Sequence, residues 1–409
     1  MTHILSQFET FHGGPLHAVS FDLYGTKVAT ASSDESIRLW DVSAANAGAQ
    51  FLQELRGHSG PVWQVCWAHP RFGSVLGSCG YDRRIVVWQQ QSGAQAFVPV
   101  YSNDEHGASV NALAFAPEAA GLILAAGSSD GCISVLTHQE GDLQQWSRQV
   151  FSAHFNGVLA VAWAPIGAPG ASGGNSRMES LLMASGGGDN NVRLWSLDAS
   201  QQWTELPPME GEGHSDWVRD IAFRPQGASS FVLPGALLLA SCSEDKTVKL
   251  WLGEPPSQQL QEQQDSQQLV TPAPSQYKWH LLQTLVLDAP AWRLSWSQSG
   301  ALLAVACGNS AVLLLKENVH GTWELVADLA ESNVETEKQQ QQQQVPPPQD
   351  MQQQKQMPPP SPLQPPLPQQ QQQHQQMPPP SPLQPPLPQQ QQQHQQMPPP
   401  SLQPPLPQQ

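Results

Sequence analysis

The chain has 409 residues, 13% of them charged, and a net charge of −16 at pH 7. An acidic protein lacks the lysine and arginine footprint that binds phosphate backbones or anionic lipid, so we expect no direct nucleic-acid binding and no electrostatic docking on membranes. No stretch approaches the roughly 18 apolar residues of a spanning helix. The five cysteines are scattered, include no Cys-x-x-Cys pair and fit a reducing compartment.

A repeating unit organises the chain up to about residue 330, and its clearest copy runs from Gly57 to Trp88. His58 opens a turn, Val62–Trp67 alternates as a strand does, and two further apolar runs follow before Trp88. A fourth run spans Ala96 to Tyr101. Short β-rich runs separated by polar turns predict one antiparallel sheet of four strands.

Six copies of this unit follow one another with a period of roughly 50 residues. In each copy an Asp or Asn precedes a Trp or Leu by six residues; the pairs are Asp34 and Trp40, Asp82 and Trp88, Asp130 and Leu136, Asp189 and Trp195, Asp245 and Trp251, and Asn309 and Leu315. Four-stranded units at this period are typical of propeller blades. The predicted fold class is therefore all-β, a six-bladed β-propeller over residues 1–330.

The repeats resemble the WD-repeat pattern, in which a buried Trp, a Ser or Thr, an Asp and a His form one hydrogen-bonded set per blade. The resemblance assigns these roles to residues of blades one, two, four and five: His12, Thr30, Asp34, Trp40; His58, Ser78, Asp82, Trp88; His154, Ser185, Asp189, Trp195; His214, Ser241, Asp245, Trp251. Blade three keeps His106 and Asp130 but has Ala126 and Leu136 at the other two positions. Blade six keeps none of the four.

A Ser, a His and an Asp in one set also raise the alternative of a hydrolase triad. A catalytic site is built once, in one cleft, whereas this set recurs in four blades in the same order. A buried carboxylate needs hydrogen-bond donors, which a His ring and turn amides supply. The sequence has no cofactor fingerprint, so we expect a non-enzymatic protein without cofactor or metal.

Two insertions and a long tail depart from the repeats. Residues 165–180 are rich in Gly, Ser, Ala and Pro, and residues 253–276 in Gln and Pro, so both are predicted to be flexible loops. Residues 331–409 are predicted to form a disordered Gln/Pro-rich tail. A block MPPPSPLQPPLPQQQQQHQQ starts at Met357, recurs at Met377 and begins again at Met397. Its PPLP units match SH3 or WW ligands, and whether they have a partner stays open.

Four longer stretches resemble one WD-repeat family in particular, the Sec-thirteen family. They are GPVWQVCWAHPRFGSVLGSCGYDRRIVVW from residue 60, GLILAAGSSDGCISVLT from 121, HSDWVRDIAFRP from 214 and AWRLSWSQSGALLAVACG from 291. That family supplies the propeller subunit of the COPII outer coat and of the Y-shaped nuclear pore complex. The resemblance implies a structural scaffold for ER-to-Golgi transport, on the cytoplasmic face of the endoplasmic reticulum and COPII vesicles, at nuclear pores of the nuclear envelope, and in the cytosol. Membrane association would then occur only through the coat or pore assembly.

The strand count also points to a partner. Ordinary propellers close by pairing strands from the two termini. Here Thr322 to Leu329 can complete blade six, which leaves the predicted strand His3–Phe8 without a place in a closed ring. Members of the resembled family fill an open ring with a blade donated by a helical-solenoid protein, a Sec-thirty-one-like coat subunit or an equivalent nucleoporin. The residues predicted to meet that blade are Ile4, Leu5, Phe8, Leu313, Leu315, Leu325 and Val326.

Two alternatives remain open at this point. The Seh-type propeller of the nuclear pore and of the lysosomal nutrient-signalling complex shares the WAHP stretch. A generic WD-repeat adaptor, such as a substrate receptor of a ubiquitin ligase, would close its ring and remain stable without a second blade.

Overall fold

A computed structural model describes residues 7–329, apart from 44–47, 92, 94–95, 140, 142, 166–180, 199, 226–234 and 257–272. The predicted tail and most of the two predicted loops therefore lie outside the described residues. Of the predicted strand His3–Phe8, only Gln7 and Phe8 are described, and neither lies in a strand.

The described strands form six antiparallel sheets, each made of four strands that are consecutive in the chain. Blade one contains β1 Leu16–Phe21, β2 Lys27–Ser32, β3 Ser36–Asp41 and β4 Gln50–Arg56, and blade two contains β5 Val62–Trp67, β6 Val75–Gly80, β7 Ile85–Gln90 and β8 Phe97–Asn103. Blade three contains β9 Val110–Phe115, β10 Ile123–Ser128, β11 Cys132–His138 and β12 Trp146–Ser152, and blade four contains β13 Val158–Trp163, β14 Leu182–Gly187, β15 Val192–Leu197 and β16 Trp203–Glu205. Blade five contains β17 Val218–Phe223, β18 Leu237–Ser243, β19 Thr247–Glu254 and β20 Lys278–Val286, and blade six contains β21 Ala291–Trp296, β22 Leu302–Cys307, β23 Val312–Glu317 and β24 Trp323–Asp328.

This architecture confirms the prediction of a six-bladed propeller. Three 3-10 helices, Pro70–Phe72, Glu118–Ala120 and Pro274–Gln276, lie between strands. Within the ranges given above, no helix is long and apolar enough to cross a membrane. No sheet formed by these residues combines strands from the two ends of the chain.

The second strands of blades two to five are buried on both faces, because each blade is packed between two others. Their sequences are therefore continuous apolar runs rather than alternating ones. Close approach of the blades requires small residues at the contact. A Cβ added at Gly127 would lie 2.5 Å from Cγ1 of Val158, and one at Gly186 would lie 2.6 Å from Cγ1 of Val218.

The loop predicted from residue 253 begins later in the structure. Strand β19 continues through Glu254, and Gly253 pairs with both Leu237 and Trp279. Gly253 and Glu254 were predicted to begin the loop. Instead, glycine is required at position 253 inside the sheet, because a Cβ there would lie 2.6 Å from Cζ2 of Trp279. Packing of a large ring on the neighbouring strand overrides the low strand propensity of glycine.

Candidate functional site

The predicted side-chain set is assembled in blade two. His58 Nδ1 lies 3.0 Å from an Asp82 oxygen, and its Nε2 lies 2.8 Å from Ser78 Oγ. The indole N–H of Trp88 donates to the same Oγ at 2.8 Å. The Asp82 carboxylate also accepts the backbone N–H groups of Ser59 and Arg84. With these contacts the set ties together strands β6 and β7, the turn between them and the segment that precedes β5.

The same three contacts recur in blades one, four and five. In that order the His–Asp distances are 2.8, 2.7 and 2.9 Å, the His–hydroxyl distances 2.9, 2.7 and 2.7 Å, and the Trp–hydroxyl distances 3.1, 2.8 and 2.9 Å. The structure thus brings together the residues His12, Thr30, Asp34, Trp40, His154, Ser185, Asp189, Trp195, His214, Ser241, Asp245 and Trp251.

The geometry of the set suits a structural role. Ser78 is fully buried, and its Oγ lies within hydrogen-bonding distance of both the Trp88 indole and the His58 ring. A hydroxyl held between an indole and an imidazole has no route to a substrate carbonyl, so it cannot serve as an exposed nucleophile. The described residues also contain no cluster of His, Cys, Asp and Glu that could hold a metal ion.

The turn carboxylates of these blades are stabilised in their charged form. Burial acts against ionisation of Asp82, but the hydrogen bond and charge of His58 and the amides of Ser59 and Arg84 outweigh it, so the pKa lies below its ordinary value. The pKa of Asp34, Asp130, Asp189 and Asp245 is lowered in the same way, against the effect of burial, by hydrogen bonds from the His and from turn groups.

Blade three completes its set with residues that the sequence analysis did not identify. His106 Nδ1 lies 2.9 Å from Asp130, and its Nε2 lies 2.7 Å from Ser134 Oγ. The Nε of Arg148 donates to that hydroxyl at 3.1 Å, as the indole does in other blades. The sequence signals that could have identified them are a Ser eight residues after Ala126 and an Arg on the fourth strand of the blade.

Blade six lacks the set. Asn309 occupies the turn, where its side-chain oxygen accepts the N–H of Ala311 at 3.1 Å. Leu315 takes the Trp position and is buried in an apolar cluster with Trp323 and Leu303. Apolar packing thus replaces the polar set there.

At three positions the first strand of blade one is more exposed than the first strands of the other five blades. Its first, fourth and sixth residues, Leu16, Val19 and Phe21, are 42%, 57% and 60% exposed, and we call them the open flank. The first residue is fully buried in blades two to six: Val62, Val110, Val158, Val218 and Ala291. The fourth residue is at most 9% exposed in the same blades: Val65, Leu113, Val161, Ile221 and Leu294.

These positions face the preceding blade. Val158 and Val161 of blade four pack against Gly127 of blade three, for example, and Val218 and Ile221 of blade five against Gly186. Blade one has no preceding blade in the chain. Its apolar flank is therefore left without the sheet that covers the corresponding residues elsewhere.

The facing side of blade six is also partly open. Strand β22 alternates between buried and half-buried residues, while the second strands of blades two to five are buried throughout. The half-buried residues are Leu302, Ala304 and Ala306, and Leu314 of β23 pairs with Ala304 on the same side. In the turns between the first and second strands of the two blades, Gln298 Nε2 donates to the carbonyl of Leu23 at 3.4 Å.

Two of the residues predicted to meet a partner blade lie on the wrong side. Leu315 is 2% exposed, and both it and Leu313 pack in the cluster shared with blade five. Their cross-strand partners Leu303 and Val305 belong to the same cluster. The sequence indicated an apolar run in β23 but not which alternate residues turn toward blade five.

The other predicted partner residues are placed as follows. The ring of Phe8 lies 5.2 Å from that of Trp40, on the side of blade one that faces away from blade two. Leu325 and Val326 are 56% and 49% exposed on the outermost strand of blade six. Ile4 and Leu5 lie outside the described residues.

Six four-stranded blades with recurring Trp–hydroxyl–His–Asp sets define a WD-repeat β-propeller. The model of the WD domain, G-beta repeat, matches residues 5–41, 49–89, 97–135, 145–196 and 207–251. A protein transport protein sec13 of Emericella nidulans is 36% identical over 329 residues, which cover 78% of this chain and 96% of the relative. The Drosophila melanogaster protein SEC13 homolog is 37% identical, covering 79% of this chain and 83% of the relative. The chain belongs to the sec13 family of WD-repeat protein transport proteins.

Proposed function

We propose that the chain is a non-enzymatic scaffold subunit of the COPII coat and of the nuclear pore outer ring that accepts a blade donated by a helical-solenoid partner. The observation that carries the proposal is the open flank. Val19 is 57% exposed, whereas Val161, at the same position of blade four, is 7% exposed. Large exposed apolar patches usually mark interaction surfaces, so we expect the uncovered first strand of blade one to bind a partner.

A sheet fits this surface better than a helix or a short peptide. Everywhere else in the ring the equivalent residues contact the flat face of another four-stranded sheet, as at Gly127 and Gly186. A donated blade would reproduce that contact against Leu16, Val19 and Phe21 on one side and against Leu302, Ala304 and Leu314 on the other. This is strand addition on the scale of a whole sheet.

Membership of the sec13 family supports a role in protein transport, which the name of the Emericella nidulans relative states, and the coat and the pore are our proposal for where that role is exercised. The chain would then act at the cytoplasmic face of the endoplasmic reticulum, on vesicles and at nuclear pores, and reach membranes only through the assembly. A Sec-thirty-one-like coat subunit and an equivalent nucleoporin are the expected donors. The acidic chain is not expected to bind nucleic acid itself.

Purification of the tagged full-length chain from its own cells at mild salt tests the proposal. We expect a large helical-solenoid protein to co-purify in stoichiometric amount, and the isolated chain to be less soluble than the chain co-expressed with it. A soluble, monodisperse chain without such a partner would instead favour the closed adaptor class.

A further inference from the structure

The third residue of the first strand faces the following blade in blades one to five. In blade three, for example, Ala112 belongs to the same apolar cluster as Val158 of blade four. The corresponding residue of blade six is Arg293, and no blade of the described chain follows it. Arg293 pairs across strands with Ala306, one of the half-buried residues of β22. Arg293 therefore lies on the open side of blade six, which a donated blade would cover.

Where this third residue has a longer polar side chain, the side chain bonds to the next blade. Gln64 Oε1 accepts the backbone N–H of Leu113 at 2.8 Å, and Asp220 Oδ2 accepts that of Leu294 at 2.8 Å. Both N–H groups belong to the fourth residue of the following first strand. A guanidinium has five donors and no acceptor, so Arg293 cannot form this bond. It requires an acceptor from the blade beside it instead.

Arg293 is also the unpaired arginine of the sheets. Of the six arginines in the described strands, five form an ion pair; the pairs are Arg38 with Glu54, Arg56 with Glu54, Arg148 with Glu105, Arg193 with Asp189 and Arg219 with Glu244. The guanidinium of Arg293 forms no ion pair or hydrogen bond with the described residues. Burial raises the pKa of Asp220 although the Arg293 charge opposes this effect. Arg293 is thus a half-buried cation without a counter-ion in the described chain.

A blade that covers the open side of blade six removes the Arg293 guanidinium from water. Burying an unpaired cation is costly, whereas a hydrogen-bonded carboxylate offsets the loss of hydration. A carboxylate accepts two parallel N–H bonds from a guanidinium and neutralises its charge. A main-chain carbonyl accepts an N–H bond but leaves the charge uncompensated. The open side therefore suits a partner with an acidic residue at this level.

Building on the proposed function, we propose that the donated blade carries an aspartate or glutamate that pairs with Arg293, at or next to the fourth residue of its first strand. The level follows from Gln64 and Asp220, which both reach the fourth residue of the next first strand. The opposite wall of the gap is the apolar open flank. A sheet inserted the wrong way round would place its carboxylate against that flank, and a sheet with an apolar residue at this level would bury the cation unpaired. The pair thus selects both the partner and its orientation.

Substitutions at Arg293 of the full-length chain test this, with the solenoid protein that co-purifies with the unchanged chain as the probe. Arg293→Glu should raise the Kd about a hundredfold, because two carboxylates then face each other. Arg293→Gln keeps a donor but loses the charge, and should raise the Kd about tenfold. The matched controls are Arg83→Glu and Arg83→Gln, which should change the Kd less than about twofold, since Arg83 is exposed on a turn of blade two. Neither Arg293 variant should lower the Tm of the isolated chain, because the side chain has no partner to lose there.

Reversing charges on the partner identifies the pairing residue. Each acidic residue of the donated first strand is replaced by arginine in turn, and one replacement should restore the binding of Arg293→Glu to within about tenfold of the unchanged pair. If the unchanged chain binds the solenoid protein, three results would each overturn this inference alone: equal Kd values for Arg293→Glu and Arg83→Glu, no loss with Arg293→Gln, or no rescue. If the unchanged chain recovers no solenoid protein, the proposed function fails and this inference with it.

Discussion

Ser134 Oγ lies 2.7 Å from His106 Nε2, although Ser134 belongs to the third strand of its blade and the other set hydroxyls belong to the second. Ser134 is the cross-strand partner of Ala126, which lacks a hydroxyl, and Arg148 is the cross-strand partner of Leu136, which lacks an indole. Each missing group is thus replaced from the neighbouring strand at the same level of the sheet. The buried His106 ring keeps both of its hydrogen bonds as a result.

Ser134 is therefore expected to stabilise blade three as Ser78 stabilises blade two. Ser134→Ala removes the partner of a buried ring nitrogen, which costs roughly 1–3 kcal/mol of unfolding free energy. Ser147→Ala is the control, because Ser147 is exposed on the same blade and should change stability little. Urea denaturation of both variants measures the difference. If Ser134→Ala lowers the free energy of unfolding no more than Ser147→Ala does, the Ser134 hydrogen bond does not stabilise blade three.

The turn carboxylates should matter in proportion to the hydrogen bonds they accept. Asp82→Ala leaves His58 and two backbone amides without their acceptor, and should cost roughly 1–3 kcal/mol. Asn309→Ala removes one described contact, to the N–H of Ala311, and should cost distinctly less. Chemical denaturation decides between them, and equal losses would contradict the assignment.

Comparison of two buried tryptophans separates the free energy contributed by the indole hydrogen bond from that contributed by burial of the ring. Trp88 and Trp323 are 1–2% exposed, but only Trp88 has an acceptor for its indole N–H within the described residues. Trp88→Phe should therefore cost about 1 kcal/mol more than Trp323→Phe. Thermal or urea unfolding measures the gap, and a larger loss at Trp323 would contradict the hydrogen-bond account.

Much of the blade structure could be predicted from the sequence because its two signals, the short apolar runs and the spacing from Asp to Trp, are local. Strand β1 covers the predicted run LHAVSF, and the spacing from Asp82 to Trp88 identifies the turn and the third strand together. Blade three shows the limit. Ser134 supplies the hydroxyl that Ala126 lacks because the two residues pair across strands, and a repeat pattern does not record strand register.

Acid should destabilise the propeller in two stages. Burial lowers the pKa of His106, so the folded state favours the neutral ring and stability declines as pH falls below about 6.5, the ordinary value. The lowered pKa of Asp82 and Asp189 adds stability that is present above about pH 4 and lost as pH falls below it. Asp220 acts in the opposite direction, because burial raises its pKa and the fold favours its protonated form.

Unfolding free energies at pH 7, 5.5, 4 and 3 test this order. A modest decline is expected to about pH 5, and a steeper one below about pH 4. A stability maximum below pH 4 would show that the carboxylate sets do not carry the expected charge.

The open flank could not be predicted residue by residue. Leu16, Val19 and Phe21 follow the same apolar pattern as their buried counterparts, such as Val158 and Val161, and differ only in having no blade before them. Strand count indicated an open ring, but the facing side of β23 was assigned incorrectly at Leu313 and Leu315. Which alternate residues turn outward depends on the packing of whole blades.

The central claim is that the open flank binds a donated blade, and the matched substitutions Val19→Asp and Val161→Asp test it most directly. Val161→Asp buries a carboxylate between blades and should destabilise the isolated chain by several kcal/mol. Val19→Asp should leave the stability of the isolated chain within about 0.5 kcal/mol of the unchanged protein, since Val19 is exposed. In co-purification of the full-length chain, we expect Val19→Asp to lose the helical-solenoid partner. Undiminished partner recovery with Val19→Asp would contradict the account.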